Sequence, residues 1–241
     1  MNILILAAGY GTRLYPLTLK VAKPLLKINN KPIINFLMEK IEVLRKNFSI
    51  DNINLVCNNK FYSSFLEWQK EFLFKINIIN DGSNSPKDRC GAVKDIKLGI
   101  DNKSDWLILG GDNIFEDPLI GFLNFSKKIG YPTIGVYDIG DIKKASHFGV
   151  IEMDKNNRII KFFEKPKSTN STFIASCIYY FPKSSLGFLD LFLSKNLDPD
   201  AAGTYIGWLV EKYKVFGFKL EGKWLDIGNF NSLKEAEEIF K

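Results

Sequence analysis

Two aspartates in this sequence, Asp112 and Asp226, each follow a short apolar run that predicts a buried strand. Mg²⁺ prefers oxygen ligands and is usually held by one or two carboxylates together with substrate phosphates. An aspartate at a strand end is also a common turn former, so a purely structural role stays open for both. Three cysteines that are far apart and a single histidine lead us to expect neither a disulfide framework nor a zinc cluster, and any metal is expected to use carboxylates.

A glycine-rich loop follows the first apolar run, residues 2–8. Gly9 and Gly11 would let backbone amides approach phosphate oxygens, and Arg13 and Lys23 would add positive charge. The loop lacks the third glycine of the dinucleotide fingerprint and the Gly-Lys-Ser/Thr of the P-loop. We therefore predict a triphosphate site, with a simple tight turn at the two glycines as the structural alternative.

Lys165 stands between Glu164 and Pro166 at the end of a predicted strand. Because a residue before proline is biased toward an extended backbone, we expect Lys165 to project from the strand end toward a cleft, where its ammonium could hold an acceptor phosphate. A solvated strand terminus is the structural alternative.

The loop at residues 80–83 and Gly91 offer groups that could read a nucleotide base. Asn80 and Asp81 supply amide and carboxylate groups for a base edge, and Gly91 would let the backbone approach the base closely. Glu116 and Asp117 lie near Asp112 in the sequence, and we expect them to cap a helix or to occupy its first turn.

Strands and helices must position these residues, and the sequence pattern predicts that they alternate along the chain up to about residue 130. We predict strands at 2–8, 53–57, 75–80 and 106–109, and helices at 31–46, 61–72 and 91–100. Beyond that point the pattern predicts further strands at 133–137, 149–153, 158–163 and 173–181, with a turn at Asn156-Asn157, followed by short helices and a final helix at 229–240.

This order of elements predicts an α/β fold with three layers, α/β/α, around a mostly parallel mixed sheet. We expect one domain over residues 1–241, with a nucleotide-binding half at about 1–130 and an acceptor-binding half at about 131–241. With 46% hydrophobic residues, the chain can bury a substantial core.

Charge and hydropathy limit the classes of partner that we expect the protein to bind. The balance of 33 Lys+Arg against 27 Asp+Glu gives a net charge of +6, which favours anionic small molecules without forming a long basic run. No apolar run approaches the roughly 18 residues that cross a bilayer, and the first eight residues lack the basic start of a signal peptide. We expect a cytoplasmic protein whose partners are neither nucleic acid nor a membrane.

The run from Leu6 through Gly9, Gly11 and Arg13 to Lys23-Pro24 resembles the signature loop of the sugar-phosphate nucleotidyltransferases, also called nucleotide-sugar pyrophosphorylases. The segments Gly110-Gly111-Asp112-Asn113 and 224–228 resemble the two metal-binding aspartate motifs of that family. The resemblance, which is to compact members like the glucose-1-phosphate thymidylyltransferases, implies a Rossmann-like nucleotidyltransferase fold and Mg²⁺. It also implies transfer of NMP from a nucleoside triphosphate to a sugar 1-phosphate, with release of pyrophosphate.

The resemblance also implies a role for each matching residue. The metal would be held by Asp112 and Asp226, and the departing pyrophosphate and the phosphates in transfer would be bound by Arg13 and Lys23. The nucleotide would be wrapped by Ala7, Ala8, Gly9, Gly11 and Thr12. The acceptor would be bound by Phe148, Gly149, Glu164, Lys165, Tyr179 and Trp224.

The sequence also departs from the family pattern. Thymidylyl and uridylyl members resemble each other in a Gly-Leu-Ala-Gln/Glu-Ala segment, whereas this chain has Lys94 at the Gln/Glu position, so the base stays open. Missing β-helix repeats argue against a bifunctional acetyltransferase. Cytidylyl transfer to phosphocholine or a similar phosphorylated alcohol, and a non-catalytic nucleotide-sugar sensor, are the alternatives. A homo-oligomer also stays open. A glycosyltransferase is disfavoured, because that class would need an Asp-X-Asp pair at the metal strand, and Asp112-Asn113-Ile114 does not supply one.

Overall fold

The computed structural model describes residues 1–240 of the chain. Its strands are β1 (Asn2–Leu6), β2 (Lys27–Ile28), β3 (Lys31–Pro32), β4 (Ile53–Cys57), β5 (Asn77–Asn80), β6 (Trp106–Gly110), β7 (Asn113–Phe115), β8 (Thr133–Asp138), β9 (Gly149–Met153), β10 (Ile159–Glu164), β11 (Phe173–Phe181), β12 (Phe216–Lys219) and β13 (Trp224–Asp226). Its α-helices are α1 (Ile33–Asn47), α2 (Tyr62–Trp68), α3 (Ala92–Gly99), α4 (Leu119–Ile129), α5 (Ile142–Ala145), α6 (Gly187–Leu193), α7 (Ala202–Lys212) and α8 (Phe230–Ile239).

Nine of the described strands form one mixed sheet in the order β10-β9-β11-β6-β1-β4-β5, with β8 paired to β11 and β12 paired to β8. The block β6-β1-β4-β5 is parallel, and β11 joins it antiparallel to β6. The carboxyl ends of the four parallel strands therefore meet at one edge, where ligands bind in open α/β sheets.

Helices cover both faces of this sheet. Ile3 and Ile5 of β1 pack with α1, α2 and α4 on one face, whereas Leu4 packs with α3, α6 and α7 on the other. All three side chains are fully buried, which is why β1 is an unbroken apolar run rather than an alternating one. The predicted three-layer α/β/α fold with a mixed sheet is confirmed.

A second, two-stranded sheet joins β7 to β13 antiparallel, with Asp226 opposite Asn113. The backbone N–H of Ile227 also donates to the carbonyl of Asp112 at 3.1 Å. This pairing brings two aspartates together that lie far apart in the chain.

The role expected for Glu116 and Asp117 at a helix start is wrong. Helix α4 begins after Pro118 without a side-chain cap. Glu116 instead accepts from the N–H of Lys223 at 3.0 Å, and Asp117 accepts from that of Gly222 at 2.7 Å. Both carboxylates hold the turn that leads into β13.

Several elements differ from the sequence prediction. Helix α1 starts at Ile33, and Pro32 precedes it in β3 rather than lying in its first turn. Helix α4 and the short strands β2, β3, β7 and β12 were not predicted. Asn157, at the predicted turn, has φ +62° and connects β9 to β10, which pair antiparallel as expected.

Gly91, at the start of α3, has φ +90°. A Cβ there would lie 2.6 Å from the carbonyl oxygen of Pro199 and 2.8 Å from Cα of Asp200. Gly82 has a similar φ of +82°, but a Cβ there would meet nothing within 4 Å.

We predict that Gly91→Ala lowers the free energy of unfolding by about 2–4 kcal/mol, because it adds a backbone clash to an unfavourable φ. The matched variant Gly82→Ala should cost only about 1 kcal/mol, since it has the unfavourable φ alone. Urea unfolding of both variants measures the difference. Equal losses would show that the contact with Pro199 is not tight in solution.

Candidate active site

Lys23 connects the glycine-rich loop to both aspartates. Its Nζ lies 2.6 Å from Oδ2 of Asp112 and 3.7 Å from Oδ1 of Asp226. The lysine side chain is 9% exposed, whereas the two aspartate side chains are 33% and 22% exposed. The ammonium is therefore covered, and both carboxylates keep one side toward solvent.

The three charges set one another's protonation. Burial would raise the pKa of Asp112, but the Lys23 ammonium, together with hydrogen bonds from the backbone and from Asn113, holds that pKa below its ordinary value. The pKa of Asp226 is raised, because burial and repulsion from Asp112 raise it by more than the Lys23 ammonium lowers it. Burial would lower the pKa of Lys23, but the two carboxylates raise it above its usual range. Lys23 is therefore a cation at neutral pH.

Arg13 reaches the same place from a 3₁₀ turn, Thr12–Leu14. A Cβ at Gly228 would lie 2.9 Å from Oδ2 of Asp226 and 3.3 Å from Nη2 of Arg13. The guanidinium and the carboxylate thus both lie against Gly228, which leaves room for them only because it has no side chain.

The glycine-rich loop turns back on itself, which places Arg13 and Lys23 at one cleft. Gly11 has φ +59°, and a Cβ there would lie 3.0 Å from Cγ2 of Thr18 and 3.2 Å from Cβ of Lys23. Oγ1 of Thr18 donates to the Gly11 carbonyl at 2.7 Å. Gly9 is exposed, and a Cβ there would meet nothing within 4 Å.

The start of the loop is tied to β4. The N–H of Ala7 donates to the carbonyl of Val56 at 2.9 Å, and Nδ2 of Asn58 donates to the carbonyl of Ala8 at 2.9 Å. Thr12 is exposed. The nucleotide contacts predicted for Ala7, Ala8 and Thr12 stay predictions.

The predicted base-reading residues lie beside this loop. Nδ2 of Asn80 donates to Oδ1 of Asn59 at 2.6 Å, and Oδ1 of Asp81 accepts from the N–H of Ser83 at 2.7 Å. The Ser83 hydroxyl lies 3.1 Å from the hydroxyl of Tyr10, which joins the segment to the glycine-rich loop. A base contact by Asn80 and Asp81 stays a prediction.

The extended backbone expected for Lys165 is wrong, because its φ is +43°. Its N–H donates to the carbonyl of Phe148 at 3.1 Å, and this hydrogen bond closes the end of the β9-β10 pair against the bias before proline. The side chain is nevertheless 64% exposed at the strand end, with Nζ 3.5 Å from Oε1 of Glu164.

Glu164 and Tyr179 form the inner part of this side. The Glu164 carboxylate packs against Gly203 of α7 and leaves no room for a Cβ there. Burial raises the pKa of Glu164, partly offset by Lys165. Tyr179 is buried, and burial raises its pKa with added effects of Cys177 and the charges of Glu164 and Asp112. Tyr179 is thus close to both Glu164 and Asp112.

Aromatic rings form a wall beside Asp226. The Trp224 ring centroid lies 5.5 Å from that of Phe148 and 5.6 Å from that of Tyr137. The indole N–H donates to the carbonyl of Ser176 at 3.3 Å. Gly149 lies under the Phe162 ring, which fills the space of a Cβ.

Cys177 is the residue at this cleft that sequence reasoning missed. It has φ +57°, within the irregular register of β11 between Ala175 and Tyr179. A Cβ at Gly110 would lie 3.0 Å from its Sγ and 3.2 Å from Oδ1 of Asp112. Nothing in a continuous strand pattern signals such a bulge, which changes the direction of a side chain.

The predicted residues thus fall into neighbouring groups at one edge of the sheet. Two cations of the glycine-rich loop, Arg13 and Lys23, meet the carboxylates of Asp112 and Asp226. Glu164 ends β10, and Lys165 directly follows it. Such a set can bind polyphosphate and a divalent ion at the same place.

The comparisons with known proteins agree with this geometry. A model of the nucleotidyl transferase family matches residues 2–241. The chain belongs to this family. The bifunctional protein GlmU of Methanocaldococcus jannaschii is 31% identical over 238 residues, which cover 99% of this chain and 54% of that protein. A glucose-1-phosphate adenylyltransferase of Mycoplasma mobile is 29% identical over 255 residues, which cover 98% of this chain and 66% of that protein.

A crystal structure from Bacillus anthracis, assigned as a glucose-1-phosphate thymidylyltransferase in complex with sucrose, has the same fold. The TM-score is 0.80 at 22% sequence identity, over 99% of this chain and 94% of that one. The chain spans about half the length of the GlmU proteins that it matches. Within residues 1–240, no helix is both long and apolar enough to span a bilayer.

We predict that Lys23→Met lowers the free energy of unfolding by about 1–3 kcal/mol at about pH 7.5, below the range for fully buried pairs because both carboxylates are partly exposed. Without the ammonium, burial and mutual repulsion raise the folded-state pKa of Asp112 and Asp226. A raised carboxyl pKa costs stability above the unfolded-state value, so the penalty should shrink at about pH 4.5.

Urea unfolding of the chelator-treated protein at both pH values measures this effect. Lys20→Met, at an exposed lysine of the same loop, is the matched control and should change little. A Lys23→Met penalty that does not depend on pH would contradict the charge assignment.

Proposed function

We propose that the protein transfers a nucleoside monophosphate from a nucleoside triphosphate to a sugar 1-phosphate and releases pyrophosphate. The observation that carries this proposal is the ammonium of Lys23 in contact with Asp112 and Asp226. This contact joins the glycine-rich loop, which suits phosphate binding, to the carboxylates of Asp112 and Asp226 within one cleft. The names of the relatives, two of which refer to nucleotidyl transfer to glucose 1-phosphate, support the same reaction.

We propose Mg²⁺ as the metal, and the donor set fits it. Asp112 and Asp226 each have a carboxylate oxygen within 4 Å of Nζ of Lys23, so one cation can contact both side chains. Oxygen ligands of this kind suit a hard cation such as Mg²⁺. When bound, Mg²⁺ would neutralise phosphate charge at Asp112 and Asp226. Lys23 would neutralise one carboxylate when the triphosphate is absent and bind phosphate when it is present.

In this reaction an oxygen of the acceptor phosphate attacks the α-phosphorus, the new P–O bond forms, and the bond to pyrophosphate breaks. Arg13 would bind the departing pyrophosphate, and Lys165 would hold the attacking phosphate. Such catalysis depends on position and on neutralised charge. A covalent intermediate on Cys177 is disfavoured, because burial, with Asp112 adding to it, raises the pKa of this thiol to about 12 and keeps it protonated at neutral pH.

A substrate matrix tests the proposal. The nucleoside triphosphates are each combined with sugar 1-phosphates and with phosphocholine, and pyrophosphate release is measured with Mg²⁺ and with excess chelator. We expect Mg²⁺-dependent release with at least one sugar 1-phosphate. Release with phosphocholine alone would favour the cytidylyl alternative, and no release with any pair would favour a non-catalytic sensor.

We predict that Asp112→Asn lowers turnover by about 100-fold or more, because it removes a charge from the proposed metal pair while keeping the size of the side chain. Steady-state pyrophosphate release measures the loss, and circular dichroism checks the fold. Asp101→Asn, an isosteric change at an exposed position outside the cleft, should retain full turnover. Near-normal turnover of a folded Asp112→Asn would remove the metal assignment.

We predict that Lys165→Met raises KM for the acceptor by about tenfold, because it removes one charge-assisted contact to phosphate. The KM for the nucleoside triphosphate should change much less. Lys167→Met, at an exposed lysine two residues along, is the matched control. Equal increases in both KM values would show that Lys165 does not distinguish the acceptor.

A further inference from the structure

Three potential metal ligands meet outside the aspartate pair. Asp81 directly follows β5, Cys90 directly precedes Gly91, and Asp95 lies in the first turn of α3. One ligand atom of each, a carboxylate oxygen or the thiol sulfur, lies within 4.8 Å of the others. The sequence suggested no such group, because Cys90 has no second cysteine or histidine near it in the chain.

Asp95 has an oxygen that the protein leaves without a partner. Asp95 is 7% exposed. Its Oδ1 atom is buried and accepts no hydrogen bond from any residue in the described part of the chain. A buried carboxylate oxygen without a partner costs free energy unless a proton or a cation compensates it. This oxygen belongs to a carboxylate that faces Asp81 and Cys90.

No cationic side chain among residues 1–240 forms an ion pair with Asp81 or Asp95. Among residues 1–240, no lysine, arginine or histidine side chain lies within 4.0 Å of either carboxylate, although such contacts occur at Asp112, Asp190 and Asp200. Asp81 is held by Ser83, whose N–H and hydroxyl donate to Oδ1 at 2.7 and 2.8 Å. The Cys90 thiol donates to the carbonyl of Asp81 at 3.4 Å.

We propose that Asp81, Cys90 and Asp95 bind a divalent cation of the zinc class, at a site separate from Asp112 and Asp226. Two carboxylates and a thiolate suit a borderline-soft ion such as Zn²⁺, whereas Mg²⁺ disfavours sulfur. Ligands of a tetrahedral zinc ion lie about 3.5 Å apart, so ligand atoms that lie within 4.8 Å of one another need to approach by at most about 1.3 Å. The thiol proton passes to solvent as the sulfur–metal bond forms.

Such an ion would fasten the segment 82–89 to the start of α3. Ser83 also contacts Tyr10 of the glycine-rich loop, so the site would stabilise the same edge of the sheet that carries the proposed nucleotide site. The inference does not depend on the proposed reaction, because its ligands and its test involve metal binding alone.

The competing state is a proton on Asp95. Burial, with Asp81 adding repulsion, raises the pKa of this carboxyl to about 7, so a protonated Asp95 would also relieve the pair. The two states are distinguishable, because a proton gives no metal–sulfur bond.

Co²⁺ serves as the probe in the chelator-treated protein of 241 residues, with excess Mg²⁺ present to compete at Asp112 and Asp226. We expect one equivalent of Co²⁺ to produce a thiolate-to-cobalt absorption band in the near ultraviolet, and Zn²⁺ to displace it. Cys90→Ser should abolish the band. Cys177→Ser is the matched control and should retain it, since Cys177 lies at the other cleft.

A second variant tests the buried oxygen. Zn²⁺ should raise the melting temperature of the wild-type protein, and Asp95→Asn should weaken Zn²⁺ binding at least tenfold while folding normally. No cobalt–thiolate band in the wild-type protein would overturn the proposal in favour of the protonated carboxyl. A band lost in Cys177→Ser but kept in Cys90→Ser would also overturn it, because the metal would then lie beside Asp112.

Discussion

Two carboxylates that are partly buried side by side repel each other, and in this protein the ammonium of Lys23 lies against both. This contact joins three distant parts of the chain: the loop after β1, the loop after β6 and the end of β13. Lys23 is almost fully covered, so removing its ammonium leaves the repulsion between the two carboxylates uncompensated and lowers stability. The position of the glycine-rich loop over the sheet edge therefore depends on the two aspartates.

The rest of the fold serves this arrangement. The parallel pairing of β1 with β6 brings Leu6 opposite Gly110, so the glycine-rich loop and Asp112 leave the sheet side by side. The small sheet of β7 and β13 then supplies Asp226 from the far end of the chain. Glu116 and Asp117 hold the turn that enters β13, which makes two carboxylates near the cleft structural supports.

Much of this could be predicted from local pattern. The apolar run of β1, the two glycines and the strand-end aspartates are short-range signals, and the layers follow from the alternation of strands and helices. Direct ion pairing of Lys23 with both aspartates could not be read from spacing, because it depends on the pairing of β7 with β13. Helix α4 was missed although Leu119, Phe122 and Leu123 have helical spacing.

Features that depend on tertiary contacts or on irregular backbone could not be predicted from the sequence. The positive φ of Lys165 follows from a hydrogen bond to Phe148 and runs against the local preference before proline. The bulge at Cys177 turns a thiol toward Asp112, and only the packing of α3 beside β5 brings Cys90 and Asp95 to Asp81. Single-residue preferences carry no information on such contacts between distant segments.

The proposed reaction requires that Asp112 and Asp226 help to hold a divalent ion at the reacting phosphate. Mn²⁺ in place of Mg²⁺ reports on this contact, because the electron paramagnetic resonance signal of free Mn²⁺ gives its affinity for a nucleoside triphosphate, both alone and bound to the protein. We expect the wild-type complex to bind Mn²⁺ at least tenfold more tightly than the nucleotide alone, and a folded Asp112→Asn, Asp226→Asn double variant that still binds the nucleotide to lose this gain. A gain that persists in the double variant would contradict the proposed metal site, because other groups of the protein would then hold the ion.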